Sequence, residues 1–336
     1  MFSNPKKEFD FVAIGDIVTD AFIRIKDASV NCDINTDECR LSLRFGDKIP
    51  YEYVEVLSAV GNSPNAAVSA ARLGLKTALI SDLGEDQIAS DSVAYLKANN
   101  VDTKFISIHS GLKSNYHYVL WFEDDRTILV KHYDYPYNLP DFGTPKWVYL
   151  SSLGERSIDY HKAITTHLKT HPETKLAFQP GTFQMKLGVA KLRELYTRTE
   201  LFFCNVEEAQ RILNTDEKNV GALMRLMREE GPKIVVITDG PRGAYAYDGK
   251  EAWFMPPYPD PKPPFERTGA GDAFASTFTS ALALGKTIPE ALEWGPINSM
   301  SVVQYVGAQK GLLTREALED FLKKSPNEYK PKKISA

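Results

Sequence analysis

Apolar and polar positions along this chain follow two rhythms. Short apolar runs closed by glycine or polar turns predict buried strands, and stretches with apolar residues three and four apart predict amphipathic helices. The first run, Phe9–Ile14, ends at Gly15 and reads as a buried strand, with β-type alternation resuming over Ala21–Ile25. Asp27–Leu57 is more polar and alternates in short pieces, which predicts a small antiparallel sheet protruding from the main body.

From Asn65 a helical pattern takes over and closes at Gly74. A strand over 77–84 and a helix over 86–100 follow, then strand-like segments at 104–109, 115–123 and 126–134. The alternation continues with strands at 147–154, 175–181, 200–205 and 233–240, and helices at 159–171, 187–199, 206–214 and 220–231. The proline-rich piece Pro256–Pro264 reads as an extended linker into helices near 272–284, 288–305 and 314–324, and the tail from Lys323 reads as frayed. Strands alternating with helices predict an α/β fold: a mostly parallel central sheet with helices on both faces. Ligands bind such sheets at the carboxyl ends of the strands. The polar, glycine-bearing strand ends are Gly15–Asp20, Gly61–Asn65, Asn205–Glu208, Thr238–Gly243 and Gly269–Asp272.

Composition narrows this picture little. The 336 residues are 43% hydrophobic and 25% charged, enough for a substantial core. A net charge of −4 argues against a general nucleic-acid binder. The first ten residues lack an apolar leader core and no run is long enough to span a bilayer, so the expectation is a cytoplasmic protein without a membrane partner. Cys32, Cys39 and Cys204 do not make a secreted disulfide framework, and Cys32 and Cys39 are read as free thiols. The six histidines show no ligand spacing and are read as structural or surface groups.

The chemistry concentrates in Glu266–Leu284 (ERTGAGDAFASTFTSALAL), where a Gly-Ala-Gly turn precedes an acid and a small-residue helix. Unpaired amides at a helix N-terminus suit an anion, and Asp272 beside them suits a base. The alternative, a connecting turn whose acid only complements the helix dipole, stays open on this stretch alone.

Together the strand-end motifs resemble the ribokinase-like, PfkB-type carbohydrate and nucleoside kinases, from about Phe11 to Thr314. The resemblance implies one domain over 1–336 with a β lid built from about 21–57 and 116–131. It implies that Asp272 deprotonates the acceptor hydroxyl while the amides of Gly269, Ala270 and Gly271 form an anion hole. Gly61, Asn62 and Asn65 stand in the N-terminal glycine signature, with Val60 where the first Gly is usual, and with Asp20 they would hold the substrate. Asn205 and Glu208 resemble the Asn-x-x-Glu motif that orders Mg²⁺ through water. Thr238, Gly240 and Gly243 resemble the nucleotide loop, and Asn298 and Ala308 the helix–loop near the adenine. In some members neighbouring loops bind a monovalent cation such as K⁺; Glu266, where Asp or Asn is usual, leaves that feature open here. The implied activity is ATP-dependent phosphorylation of a primary hydroxyl on a small sugar (ribose-, fructose- or ketodeoxygluconate-like), with pairing of two lids as a route to a homodimer. The competing readings are a nucleoside kinase, whose base slot would come from the aromatic stretches 116–122 and 133–137, and a non-catalytic nucleotide- or sugar-binding protein on the same fold. A dinucleotide-binding oxidoreductase is disfavoured, because the first strand is followed by GDIVTD rather than a Gly-x-Gly-x-x-Gly turn.

Overall fold

The computed structural model describes residues 8–33, 38–123 and 125–336. The expected absence of a leader rests partly on residues 1–7, outside those described. In chain order, β1 (Phe11–Ile14) and β2 (Val18–Ile25) precede β3 (Ser29–Asp33), β4 (Glu38–Ser42) and β5 (Tyr51–Val60), and β5 runs into α1 (Asn62–Arg72). Then come β6 (Thr77–Gly84), α2 (Gln87–Ala98), β7 (Val101–Asp102), β8 (Ile106–His109), β9 (Tyr116–Phe122) and β10 (Asp125–Lys131). The middle of the chain holds β11 (Trp147–Leu150), α3 (Ile158–Thr170), β12 (Lys175–Phe178), α4 (Thr182–Lys191), α5 (Arg193–Arg198), β13 (Leu201–Asn205), α6 (Val206–Leu213) and α7 (Val220–Glu229). The rest is β14 (Ile234–Thr238), β15 (Ala244–Tyr247), β16 (Ala252–Met255), α8 (Ala270–Ala283), α9 (Ile288–Val302), α10 (Arg315–Lys323) and β17 (Lys332–Ile334).

The main sheet runs β17-β16-β15-β14-β13-β12-β11-β1-β6-β7, with β8 also on β6. From β14 to β7 every pairing is parallel, while β15, β16 and β17 form an antiparallel edge. Every residue of β1, β6 and β11 is buried, as expected of strands covered on both faces. One core layer joins α1, α8, α9 and α10 to the sheet, and the other joins α3, α5, α6 and α7. Small residues let the helices of the first layer approach closely: a Cβ on Gly295 of α9 would lie 2.7 Å from the Phe274 ring of α8. Asp86 caps α2 by accepting a hydrogen bond from the Ala89 amide at 2.9 Å.

A separate four-stranded sheet is ordered β10-β9-β2-β5, and its strand β2 starts just past the carboxyl end of β1. Its central pair, β2 and β9, is parallel, and both flanking pairs are antiparallel. Phe22, Val119 and Trp121 form its inner core with Val306 and Leu57. Further contacts seat it on the C-terminal half: Trp121 meets Phe265 edge to face at 5.4 Å, and Arg126 Nη1 lies 3.1 Å from Glu266 Oε1.

Four expectations are corrected. The polar stretch 27–57 does not form one sheet: β3 and β4 pair only with each other, and β5 alone joins the small sheet. Cys32 and Cys39 are disulfide-bonded, because the β3–β4 register sets them directly opposite each other. The tail is ordered, since residues 332–334 pair with β16 and close the sheet edge. The helix expected over 187–199 is two helices, with positive φ at Gly188 and a break at Leu192.

Candidate active site

Helix α8 starts where Gly269 takes φ 77°, a left-handed conformation that glycine adopts without strain. The position is also crowded, since a Cβ there would meet the Ala308 Cβ at 2.2 Å. Gly271 faces the other way, and a Cβ on it would meet nothing within 4 Å. The turn is therefore packed behind and open in front. That open side faces a cavity of about 300 Å³ lined by Thr238, Gly240, Gly243, Ala270 and Gly271. Tyr258, Asp260, Arg267 and Ser299 complete its polar wall.

Asp272 lies in the first turn of α8, and its carboxylate is held by three side-chain amides. Oδ1 accepts from Asn62 Nδ2 at 2.9 Å and from Gln179 Nε2 at 3.1 Å, and Oδ2 accepts from Asn65 Nδ2 at 2.8 Å. Burial pushes its carboxyl above the ordinary value, and the three donors pull it partly back. Asn65 is aimed by a further bond, its Oδ1 accepting from Gln309 Nε2 at 2.8 Å.

Asn62 and Asn65 were expected to bind substrate; here both donate to the acid. Helix α1 begins three residues before the expected start, because Gly61 takes φ 118° and its carbonyl accepts from the Asn65 amide. A Cβ on Gly61 would come within 2.8 Å of the Asp16 carbonyl oxygen. Gln179 was missed. It follows directly on β12, so the strand-end rule alone could have found it.

Asn205 and Glu208 form a reciprocal cap on α6: Asn205 Oδ1 accepts from the Glu208 amide at 2.7 Å, and Glu208 Oε2 from the Asn205 amide at 2.9 Å. Burial raises the Glu208 carboxyl, and the nearby charge of Asp272 adds to the shift. The parallel register of β13 and β14 sets Asn205 beside Thr238. Two expected nucleotide contacts do not reach the cavity. Asn298 is fully buried, donating to Thr277 Oγ1 at 2.7 Å and accepting from the Leu313 amide at 2.9 Å, so both ends of its amide are occupied inside the protein. Ala308 is buried behind Gly269.

Asp20 lies on β2 with its Oδ1 3.2 Å from His117 Nδ1. His132 Nδ1 is 3.3 Å from Asp16 Oδ2, and the two Nε2 atoms stand 3.2 Å apart. Two of the six histidines thus meet the acids of the first strand end. The other four serve packing or the surface: His109 on Asp82, His161 on Gln184, and His167 stacked with His171.

Among the described residues no helix is long and apolar enough to cross a membrane. The sequence is 27% identical over 267 residues to ribokinase of Bacillus subtilis, covering 78% of this chain and 87% of that one. It is 26% identical over 303 residues to 5-dehydro-2-deoxygluconokinase of Clostridium perfringens, covering 80% and 86%. The fold superposes on a nucleoside kinase of Methanocaldococcus jannaschii with a TM-score of 0.77 at 17% identity, covering 95% of this chain and all of that one. The profile of the pfkB family carbohydrate kinases matches residues 28–315, a span that takes in three of the four strands of the small sheet, the amide-held acid and the cavity in front of Gly271, and the chain is a kinase belonging to that family.

Proposed function

We propose that this kinase transfers the γ-phosphoryl group of ATP to a primary hydroxyl of a small sugar, with Asp272 as the base. The observation that carries this reading is the amide cage. A carboxylate offers about four lone-pair sites, and three donors leave about one for an incoming hydroxyl. The cage fixes the acid's orientation, and the hydroxyl proton passes to it as the oxygen attacks. Ala270 and Gly271 line the cavity, so the first-turn amides of α8 would meet the charge that grows on the transferred group. ATP would lie along Thr238, Gly240 and Gly243.

Mg²⁺, when bound, neutralises charge between the phosphates. Among the described residues no cluster of three or more His, Cys, Asp or Glu could hold a metal. Glu208 is the residue that would reach it through water, since its cap with Asn205 uses Oε2 only. A monovalent cation fits less well at Glu266. Its Oε1 accepts from the Thr268 amide at 2.7 Å and faces Arg126, and its Oε2 accepts from the Gly307 amide at 3.3 Å. The guanidinium already supplies a positive charge there.

The small sheet would serve as a lid that excludes water as a competing acceptor. Its outer face exposes Val54, Val56, Tyr118 and Leu129, which supports pairing of two copies through that face. The Phe183 ring, edge to face with His132 at 6.0 Å, supports a nucleoside as second reading, with the aromatic ring beside the base. The deciding measurement is ADP release with and without acceptor, with ³¹P NMR of the product. A phosphomonoester on a primary carbon is expected; ATP hydrolysis indifferent to every sugar and nucleoside would overturn the reading.

A further inference from the structure

The segment that leads into α8 turns neighbouring side chains in opposite directions. Glu266 is buried, and its Oε1 accepts from the Thr268 amide at 2.7 Å and from the Thr268 hydroxyl. The same oxygen lies 3.1 Å from Arg126 Nη1, and Oε2 accepts from the Gly307 amide at 3.3 Å. Glu266 and Thr268 are thus drawn back into the protein. Arg267, between them, is exposed and lines the cavity in front of Gly271.

That cavity holds little charge. Among the described residues that line it, Arg267 is the only basic one and Asp260 the only acid. Thr238, Tyr258 and Ser299 add hydroxyls, whereas Pro257, Phe274, Pro296 and Met300 make much of the remaining wall apolar. Burial raises the Asp260 carboxyl and the positive charge of Arg267 pulls it partly back, so the two side chains sense each other. No described residue forms a hydrogen bond or a close ion pair with the Arg267 side chain.

The other guanidinium groups nearby are committed. Arg242 donates through Nε to Asp239 Oδ2 at 2.8 Å, and a second bond joins the same two side chains. Arg126 faces Glu266. The dipole of α8 supplies only about half a positive charge at its N-terminus. A nucleoside di- or triphosphate carries more negative charge than that, and it stays anionic with Mg²⁺ bound. A guanidinium matches such a ligand, being always charged and able to hold two phosphate oxygens at once.

We infer that Arg267 binds the phosphate chain of the nucleotide, leaving Asp260 for phosphate oxygens, and so selects di- and triphosphates over monophosphates. This rests on the proposed placement of ATP along Thr238, Gly240 and Gly243 and adds a specificity-determining residue to it. Asp260 competes with the ligand for the guanidinium, and as an anion on the same cavity wall it opposes the phosphates.

Calorimetry with ATP, ADP and AMP tests this on the wild-type protein and three variants. Arg267→Gln is expected to weaken binding of ATP and ADP about 10- to 100-fold and that of AMP less than about threefold. Arg267→Lys keeps the charge without the fork and is expected to recover most of the ATP affinity, to within about tenfold of wild type. Asp260→Asn removes the competing anion and is expected to bind ATP about two- to fivefold more tightly. The acceptor KM should stay at the wild-type value in all three. Unchanged ATP affinity in Arg267→Gln, or a loss for AMP as large as that for ATP, overturns the inference and leaves the kinase reading intact. Weaker ATP binding by Asp260→Asn does the same, since it would make the pair a structural one. Absence of ATP binding by the wild-type protein overturns the inference and the placement of the nucleotide together.

Discussion

The surroundings of Asp272 and of Asp20 are built on opposite plans. Around Asp272 the partners are neutral amides from α1 and the end of β12, set on a helix whose first turn is glycine-rich and packed from behind. Around Asp20, itself on β2 of the small sheet, the neighbours are ionisable, and His117 and His132 come from that sheet and its exit. Neutral donors on rigid elements fix one carboxylate in one geometry. Ionisable groups on a separate sheet keep their partners only while that sheet is seated. The two acids thus depend on different parts of the molecule.

The hardest way to break this division is Asp272→Asn. Turnover is expected to fall by about 10³-fold or more with the ATP dissociation constant nearly unchanged, as measured by ADP release and calorimetry. Near-normal turnover would refute the base assignment. Gly269→Ala forces a side chain onto Ala308 in a left-handed turn; a loss of about 10²-fold in kcat and about 2–3 kcal/mol of stability is expected from kinetics and urea unfolding. If both values stayed at wild type, the turn would not need its packed geometry.

Gln179→Ala probes the cage more gently. About tenfold in kcat is expected to be lost. The acid limb of the pH–rate profile should also move to higher pH, because a donor that lowers the Asp272 pKa is gone. In the wild-type protein burial already holds the Asp272 carboxyl above its ordinary value. The sign for stability follows from the same shift: a carboxyl whose folded pKa is raised favours folding most below its unfolded value, and this contribution is lost as pH rises through the folded value. Burial of Asp272 therefore opposes folding at neutral pH. The smallest expected effect is from cations: replacing K⁺ by tetramethylammonium should change turnover less than about twofold, since Arg126 already faces Glu266. A large loss would show that Glu266 needs an external ion.

The same division explains what could be read in the sequence. The α/β alternation and Gly269–Asp272 were legible because each is local: a turn, its helix and its acid are contiguous. Gln179 was within reach of the strand-end rule. His117 and His132 were not, because fifteen positions apart in strand-like segments they carry no spacing signal. His117 meets Asp20 through the parallel β2–β9 pairing, and His132 comes beside it through the antiparallel β9–β10 pairing. Asn298 misled for a related reason. A polar residue on a helix near the nucleotide loop is ambiguous until the facing helix is known, and here Thr277 of α8 takes it inward. The Cys32–Cys39 bond likewise depends on cross-strand register, which cysteine spacing does not reveal.

The bond from Gln309 to Asn65 has a directional consequence. Gln309 Nε2 also donates to the backbone carbonyl of Ala59, at 2.8 Å. A peptide oxygen cannot exchange places with a nitrogen as a side-chain amide can, so Ala59 sets the sense in which Gln309 is turned. Gln309 then presents N–H to Asn65, and Asn65 presents N–H to Asp272. Ala59 sits with φ 55° at the end of β5, where the small sheet hands the chain over to α1. The polarity of the cage is thus wired to a backbone dipole at that junction, and a shift of the sheet there would reach the carboxylate as a rotation of amides.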